Sequence, residues 1–468
     1  MSARRRIWIL LISVVLLSIL LRIGVAIYLG NGFSDIRGGT YDQISYDALA
    51  QRLIGGYGFS FEKEWWPYAR IEQPTAFWSY LYTLYLAGIY ATVGHQPIVA
   101  RLIQAVLVGV LMPVLLFRIG RRHFNEWVGL IAAFITAVYL YFATYASSLM
   151  TEAFYIVGIL WIFDITGRIT KEIAAEIKPT KVFLLGLELG LALGITLLLR
   201  QVIMFFYLVL ALWLVWAGWL QHRLSQVFAL WMVAGTVIFM LVLPWMWRNY
   251  QVFDALALPN TNAGFVFFWA NHPIYGTRFE AVLSPEHGVT YQELIPPDLR
   301  DLNEAALDRA LLDRGLQFVQ DDPQRYILLS FSRIPVYFLF WPTNESSFLS
   351  NTARILSFGL FLPFMLAGLF LAARKAWSKR RDDQTRLIDL TIDFRFLLVL
   401  FVVVYAGIHL VSWANVRYRL PVDAVLILFA AYAIERMLLM YCNRKESKEV
   451  LLAVQELHLN RGGEIDGI

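Results

Sequence analysis

Asp42 and Tyr46 stand one helical turn apart near the start of a stretch that runs from Thr40 to Ile54 and stops at Gly55-Gly56-Tyr57-Gly58. Thr40 can cap a helix, the glycines can end it, and the i, i+4 spacing puts Asp42 and Tyr46 on one face. Ile44, Leu49, Leu53 and Ile54 gather on another side, so the stretch predicts a short amphipathic helix lying at a membrane surface. A carboxylate at its head can act as a general base or serve only as a helix-start acid. Asp47 is a second acid in the same stretch, and Glu152, after Thr151, opens a later apolar run. Three arginines complete the set. Arg200 ends the uncharged run Leu189–Leu199, and Arg417 and Arg419 flank Tyr418 in the turn Trp413–Pro421. Guanidinium groups fit phosphate oxygens as forks, although a boundary arginine can also simply snorkel to lipid phosphate.

The elements that must position these residues are membrane spans. The 468 residues are 59% hydrophobic and only 16% charged, with a mean hydropathy of +0.57. That much apolar surface does not fit inside one water-soluble core. The net charge of +5 is spread in short basic clusters between apolar runs, which reads as orientation signal and argues against nucleic acid. Arg4, Arg5 and Arg6 precede a first span over 7–29, with the N-terminus inside. Further spans are expected at 99–117, 127–144, 153–165, 182–199, 202–220, 227–247, 355–373, 396–411 and 422–439. The apolar stretches 77–93 and 326–340 are assigned to the interface instead. If either crossed, the basic clusters at Arg118–Arg122 or Arg374–Arg386 would fall outside, against the positive-inside tendency.

The expected fold is an all-α polytopic membrane protein of about ten or more spans, each near the roughly 20 residues a bilayer requires. It divides into a transmembrane module (1–247) with a first outer loop at 30–98, and an extracytoplasmic cap with an interfacial helix (248–353). C-terminal spans (354–440) and a cytoplasmic tail (441–468) follow. This topology places Asp42, Glu152, Arg200, Arg417 and Arg419 on one outer rim. Such a set suits a reaction in which a membrane-anchored phosphate ester leaves while an acid takes a proton from the attacking group.

The order of these features resembles the GT-C-fold glycosyltransferases that use polyprenyl-phosphate sugars, among them the protein O-mannosyltransferases and lipid A aminoarabinose transferases. The resemblance rests on Asp42-x-x-x-Tyr46-x-x-Leu49-Ala50, Arg101-Leu102, Arg118-Ile-Gly-Arg-Arg122, Thr151-Glu152, Leu199-Arg200, Asn271-His272-Pro273 and Arg417-Tyr418-Arg419-Leu420-Pro421. It covers residues 1 to about 440 and departs at Gln201, where many relatives carry Pro or Gly. It implies an inverting transfer from a lipid-phosphate donor at the extracytoplasmic side. In that reading Asp42 is the base, Glu152 the second acid and Asp47 the next candidate. Arg200, Arg417, Arg419 and Tyr46 hold the donor phosphate, and Asn271 and His272 line the acceptor or sugar pocket. The partners implied are a polyprenyl-phosphate-linked sugar and a lipid, protein or glycan acceptor.

Two other classes stay open. A transporter or flippase is favoured only by Glu188 and His409 within spans, and a non-catalytic scaffold would use the cap as its working surface. The outer loops show no His or Cys cluster at metal-ligand spacing, so no cofactor and no essential divalent metal is expected. The one cysteine, Cys442, leaves no intrachain disulfide to form.

Overall fold

The computed structural model describes residues 3–33, 40–173, 178–255, 257, 259–344, 346, 348–378 and 391–462. Lys379, Arg380, Arg381 and Arg386 of the expected basic cluster lie outside these residues. The helices up to the middle of the chain are α1 (Ala3–Leu29), α2 (Thr40–Ile54), α3 (Tyr80–Val93), α4 (Pro97–His123), α5 (Glu126–Val138), α6 (Leu140–Ser147), α7 (Glu152–Ile173) and α8 (Pro179–Leu199). Helices Met204–Leu220, Leu224–Phe253, Leu360–Ser378, Phe394–Val411 and Leu420–Gly462 continue the membrane bundle. Among the described residues nine helices are long and apolar enough to cross a bilayer, and the bent pair α5 and α6, counted as one broken span, brings the number to ten. The chain is a multi-pass membrane protein. At 14 residues α3 is too short to span.

Most span windows are less than half enclosed by protein, but α7 is largely surrounded by it. Glu152 therefore sits at the head of the central helix, with Asp164 lower on the same helix. Asp164 gathers the basic cluster: Arg118 lies 2.7 Å from it, Arg122 2.9 Å and Arg168 3.5 Å. Helix α8 closes on Leu224–Phe253 through a stripe of glycines four residues apart. A Cβ on Gly190 would come within 2.7 Å of the Ala234 carbonyl oxygen, and one on Gly186 within 2.9 Å of that of Leu230. Small residues let the two backbones approach, which fixes the end of α8 where Arg200 emerges.

The third span departs from the expected straight helix over 127–144. It bends by 59° between α5 and α6, where Tyr139 takes an extended conformation (φ −70, ψ 108). The break frees backbone groups, and in lipid no water can satisfy them, each orphan costing about 1–3 kcal/mol. Other spans supply the partners. Arg22, fully buried in α1, donates to the carbonyl oxygens of Thr136 (3.1 Å) and Ala137 (3.4 Å) and to Ser18 Oγ (2.7 Å). Ser357 Oγ accepts from the Tyr141 N–H at 3.3 Å, and the Tyr139 hydroxyl donates to Asp423 at 2.7 Å.

The segment between the first two spans also packs differently from the expectation for α2. This helix turns Gln43, Ser45, Tyr46 and Asp47 inward and leaves Ile54 exposed, because the groups that need polar partners lie beneath it. Arg101 of α4 donates to Gln43 Oε1, the Ser147 carbonyl and the Gly32 carbonyl at 2.8–2.9 Å. Gln104 donates to the Ser148 carbonyl at 2.7 Å and accepts from the Tyr82 hydroxyl at 2.8 Å. Together they clamp α2 to the turn that leads into Glu152.

The cap carries helices Ala263–Ala270, Glu304–Asp321 and Pro323–Tyr337. Asp308 accepts from the N–H groups of Gly264 (2.8 Å) and Phe265 (3.1 Å), so one cap helix caps another. Only glycine fits that crossing, since a Cβ at position 264 would lie 1.7 Å from the Asp308 carbonyl oxygen. Glu304 accepts from the Ala76 N–H at 2.7 Å and from Thr261, which fastens the cap to the first loop.

Candidate active site

Four separated parts of the chain bring their charges to one place. Asp42 comes from the first turn of α2, Glu152 from the first turn of α7, Arg200 from the residue after α8, and Arg417 from the short 3-10 turn Val416–Arg419. Arg417 forms an ion pair with Asp42 and lies 3.8 Å from Glu152 Oε1. Arg200 donates to the same Glu152 oxygen at 2.7 Å and to Thr151 Oγ1 at 2.9 Å. The Tyr418 ring lies under both guanidiniums, 5.4 Å from that of Arg200 and 5.1 Å from that of Arg417. It is backed by a stacked His409 ring at 4.9 Å. Two carboxylates and two guanidiniums thus share a small, half-buried volume. Glu152 Oε2 and Arg417 Nε make no hydrogen bond among the described residues.

Tyr46 is packed beside this cluster, its ring edge-on to Trp78 and Tyr82 and its hydroxyl accepting from the Ser79 N–H at 3.4 Å. Burial pushes its phenol above the usual range. Gln201, where the resemblance departs, accepts from the Asn260 N–H at 3.1 Å and donates to Asn262 at 2.7 Å, tying the Arg200 corner to the cap.

The other expected site residues lie elsewhere. Arg419, expected on the donor phosphate, is fully enclosed. It donates to Asp423 (3.0 Å) and to the carbonyl oxygens of Tyr337 (2.9 Å) and Leu339 (3.2 Å), with its guanidinium over the Phe358 ring. Asp47 points away from Asp42, accepting from the Tyr90 hydroxyl (2.6 Å) and Gln51 (2.7 Å), with His95 Nε2 at 2.8 Å. Asn271 is fully buried, donating to the Phe267 carbonyl at 2.9 Å and accepting from Arg333 at 2.8 Å. His272 Nδ1 accepts from the Ile274 N–H at 3.2 Å, and burial followed by the nearby Arg325 pulls its pKa down to about 4. All four are engaged in holding the fold. Of the two residues that raised a transport reading, Glu188 pairs with Arg168 and accepts from Trp161 at 3.1 Å. His409 packs against Tyr418.

Sequence reasoning did not single out Arg22 or Tyr145. Arg22 is a charged residue inside an otherwise apolar run, and that signal alone could have drawn attention to it. Tyr145 of α6 lies within electrostatic reach of Arg417, Glu152 and Asp42. Nothing local in the sequence marks it. Among the described residues no three His, Cys, Asp or Glu side chains group closely enough to hold a metal ion.

Residues 80–247, which include Glu152 and Arg200, match the family described as dolichyl-phosphate-mannose-protein mannosyltransferase. No curated protein matches the chain in sequence. Among solved structures, the apo oligosaccharyltransferase of Archaeoglobus fulgidus aligns with a TM-score of 0.57 at 13% identity, over 96% of this chain and 53% of that one. The archaeal oligosaccharyltransferase AglB of the same organism, in complex with an inhibitory peptide and a dolichol-phosphate, aligns with a TM-score of 0.54 at 15% identity. That alignment covers 95% of this chain and 52% of that one. This chain therefore spans about half the length of these two structures. It has their membrane fold, the GT-C fold.

Proposed function

We propose that the chain is a membrane glycosyltransferase that moves a sugar from a polyprenyl-phosphate carrier to a hydroxyl acceptor on the extracytoplasmic side, with inversion at the anomeric carbon. The observation that carries this reading is the meeting of Asp42, Glu152, Arg200 and Arg417, each from a different part of the chain, at one end of the bundle. The family match over 80–247 and the fold shared with an enzyme bound to dolichol-phosphate support it.

The charges suit the chemistry. Two guanidiniums balance two carboxylates, and a lipid phosphodiester adds one negative charge. The acceptor oxygen attacks C1 as the C1–O bond to phosphate breaks, and the bonding electrons stay on the phosphate. The phosphate gains a second charge while Asp42 takes the acceptor's proton, so the net charge of the cluster is unchanged. In this reading Arg417, whose Nε is uncommitted, and Arg200 donate to the leaving phosphate. Glu152 keeps both arginines in register and leaves Oε2 to accept from a substrate hydroxyl. In this reading the two guanidiniums, and no divalent cation, face the leaving phosphate.

The test is a transfer assay with purified protein in lipid, supplied with labelled polyprenyl-phosphate sugars and acceptor fractions. Release of polyprenyl phosphate is expected, unchanged within about twofold by a chelator, and Asp42→Asn is expected to slow it by about 10²–10⁴-fold, the usual contribution of a general base. An Asp42→Asn protein that is folded and as fast as wild type would remove Asp42 from the mechanism. Transport of the lipid without release of its phosphate would replace the reading altogether.

A further inference from the structure

Arg22 is a buried charge whose chemistry the proposed reaction leaves unused. All its hydrogen-bond partners are neutral oxygens: Ser18 O at 3.1 Å, Ser18 Oγ at 2.7 Å, Thr136 O at 3.1 Å and Ala137 O at 3.4 Å. A guanidinium without a carboxylate is a costly group to place inside a span, and here it lies where the helix ladder of the third span is broken. The backbone of the same residue is used as well. The Arg22 carbonyl accepts from Ser147 Oγ at 2.8 Å, so Arg22 holds both the break and the far end of α6.

What lies beyond the break is the site. The 59° bend tips α6 so that Tyr145 comes within electrostatic reach of Asp42, Glu152 and Arg417. The turn that follows is pinned by Arg101 at the Ser147 carbonyl (2.9 Å), by Gln104 at the Ser148 carbonyl (2.7 Å) and by Gln43 at the Leu149 N–H (3.1 Å). It then delivers Thr151 and Glu152. A straight helix would displace that turn and with it the start of α7.

We infer that Arg22 is a positioning residue for the transfer site: by bridging the carbonyls freed at Tyr139 it sets the tilt of α6, and through the turn that follows the placement of Glu152 beside Arg417. The role rests on the glycosyl-transfer reading for its consequence and on the contacts of α1 with α5 and α6 for its mechanism.

The experiment compares wild type, Arg22→Met and Arg22→Lys as full-length protein in lipid nanodiscs. It measures turnover and KM for a labelled polyprenyl-phosphate sugar, thermal unfolding, and amide hydrogen exchange over 139–150. Arg22→Met is expected to unfold cooperatively, to exchange the 139–150 amides at least about tenfold faster, and to lose at least about tenfold in kcat with donor KM within about threefold. Arg22→Lys, which keeps a donor but not the fork, is expected to recover part of the kcat. Turnover within about twofold of wild type in Arg22→Met would overturn the positioning role, as would unchanged exchange over 139–150 or no difference between Met and Lys. Should Arg22→Met fail to fold, Arg22→Lys carries the test by the same exchange and kcat readouts. A wild type that releases no polyprenyl phosphate from any donor would overturn the transferase reading instead, and Arg22's link to turnover with it.

Discussion

Arg417 and Arg419 are two residues apart and have opposite fates. In a 3-10 turn each residue advances about 120°, so positions i and i+2 face different sides. Arg417 therefore meets Asp42 while Arg419 enters the interior against Asp423. The same phase argument separates Asp42 from Asp47, five residues and about 140° apart around α2. The two arginines should fail differently when removed. Arg417→Ala is expected to raise donor KM or lower kcat by about 10–100-fold with little loss of stability, the scale of a hydrogen bond to a charged group. Arg419→Met leaves Asp423 buried without its partner and is expected to cost about 3–5 kcal/mol of stability. Adding Asp423→Asn should return part of it. Thermal unfolding alongside donor KM separates the two cases, and a stable Arg419→Met protein with weakened donor binding would return Arg419 to the site.

At the scale of elements, the site depends on two devices that close helices together. One is the broken third span. The other is the glycine stripe on α8, whose contact with Leu224–Phe253 fixes where Arg200 emerges. Gly190→Val places new methyl groups against the Ala234 backbone and the Val237 side chain, both within 3 Å of a Cβ at that position. Overpacking of this kind costs about 1–3 kcal/mol. The expected outcome is a lower unfolding temperature together with a several-fold higher donor KM, because the displaced end of α8 carries Arg200. A variant that is destabilised but binds donor normally would show that the Arg200 corner is held by Gln201 and the cap instead.

At the scale of the whole molecule, buried acids hold the cap: Asp308 joins two of its helices, and Glu304 fastens it to the first loop. Burial pushes the Asp308 carboxyl up to about 7 against the two backbone N–H groups that favour its charge, and burial raises Glu304 as well. An acid whose folded pKa lies above its unfolded value near 3.9 is protonated in the folded state while the unfolded chain has already released its proton. The contribution of Asp308 to cap stability is therefore full below about pH 4 and declines as pH rises toward about 7, by at most about tenfold per pH unit, and that of Glu304 falls in the same direction. His272, with its pKa lowered, slopes the other way below about pH 6.5. Asp308→Asn is expected to slow hydrogen exchange of Ala263–Ala270 at pH 8 relative to wild type and to leave it unchanged at pH 4. Equal exchange at both pH values would place the Asp308 pKa at its ordinary level.

The number of spans and their approximate limits could be read directly, because bilayer thickness dictates how long an apolar run must be. Charge asymmetry separated the short helix at Tyr80–Val93 from the crossing ones. Of the charges that meet there, Glu152, Arg200 and Arg417 were visible at span ends, where an apolar chain has little other reason to place them, and Asp42 at the head of a short helix between spans. What the sequence left open was which acid meets which arginine. That depends on helical phase in two short turns and on packing between segments hundreds of residues apart, as for Asp42 with Arg417. Only the tertiary structure decided the inward face of α2, the bend at Tyr139 and the task of Arg22. In each case the deciding force is a buried polar group whose partners belong to another helix, and no local pattern encodes a partner that is remote in the chain.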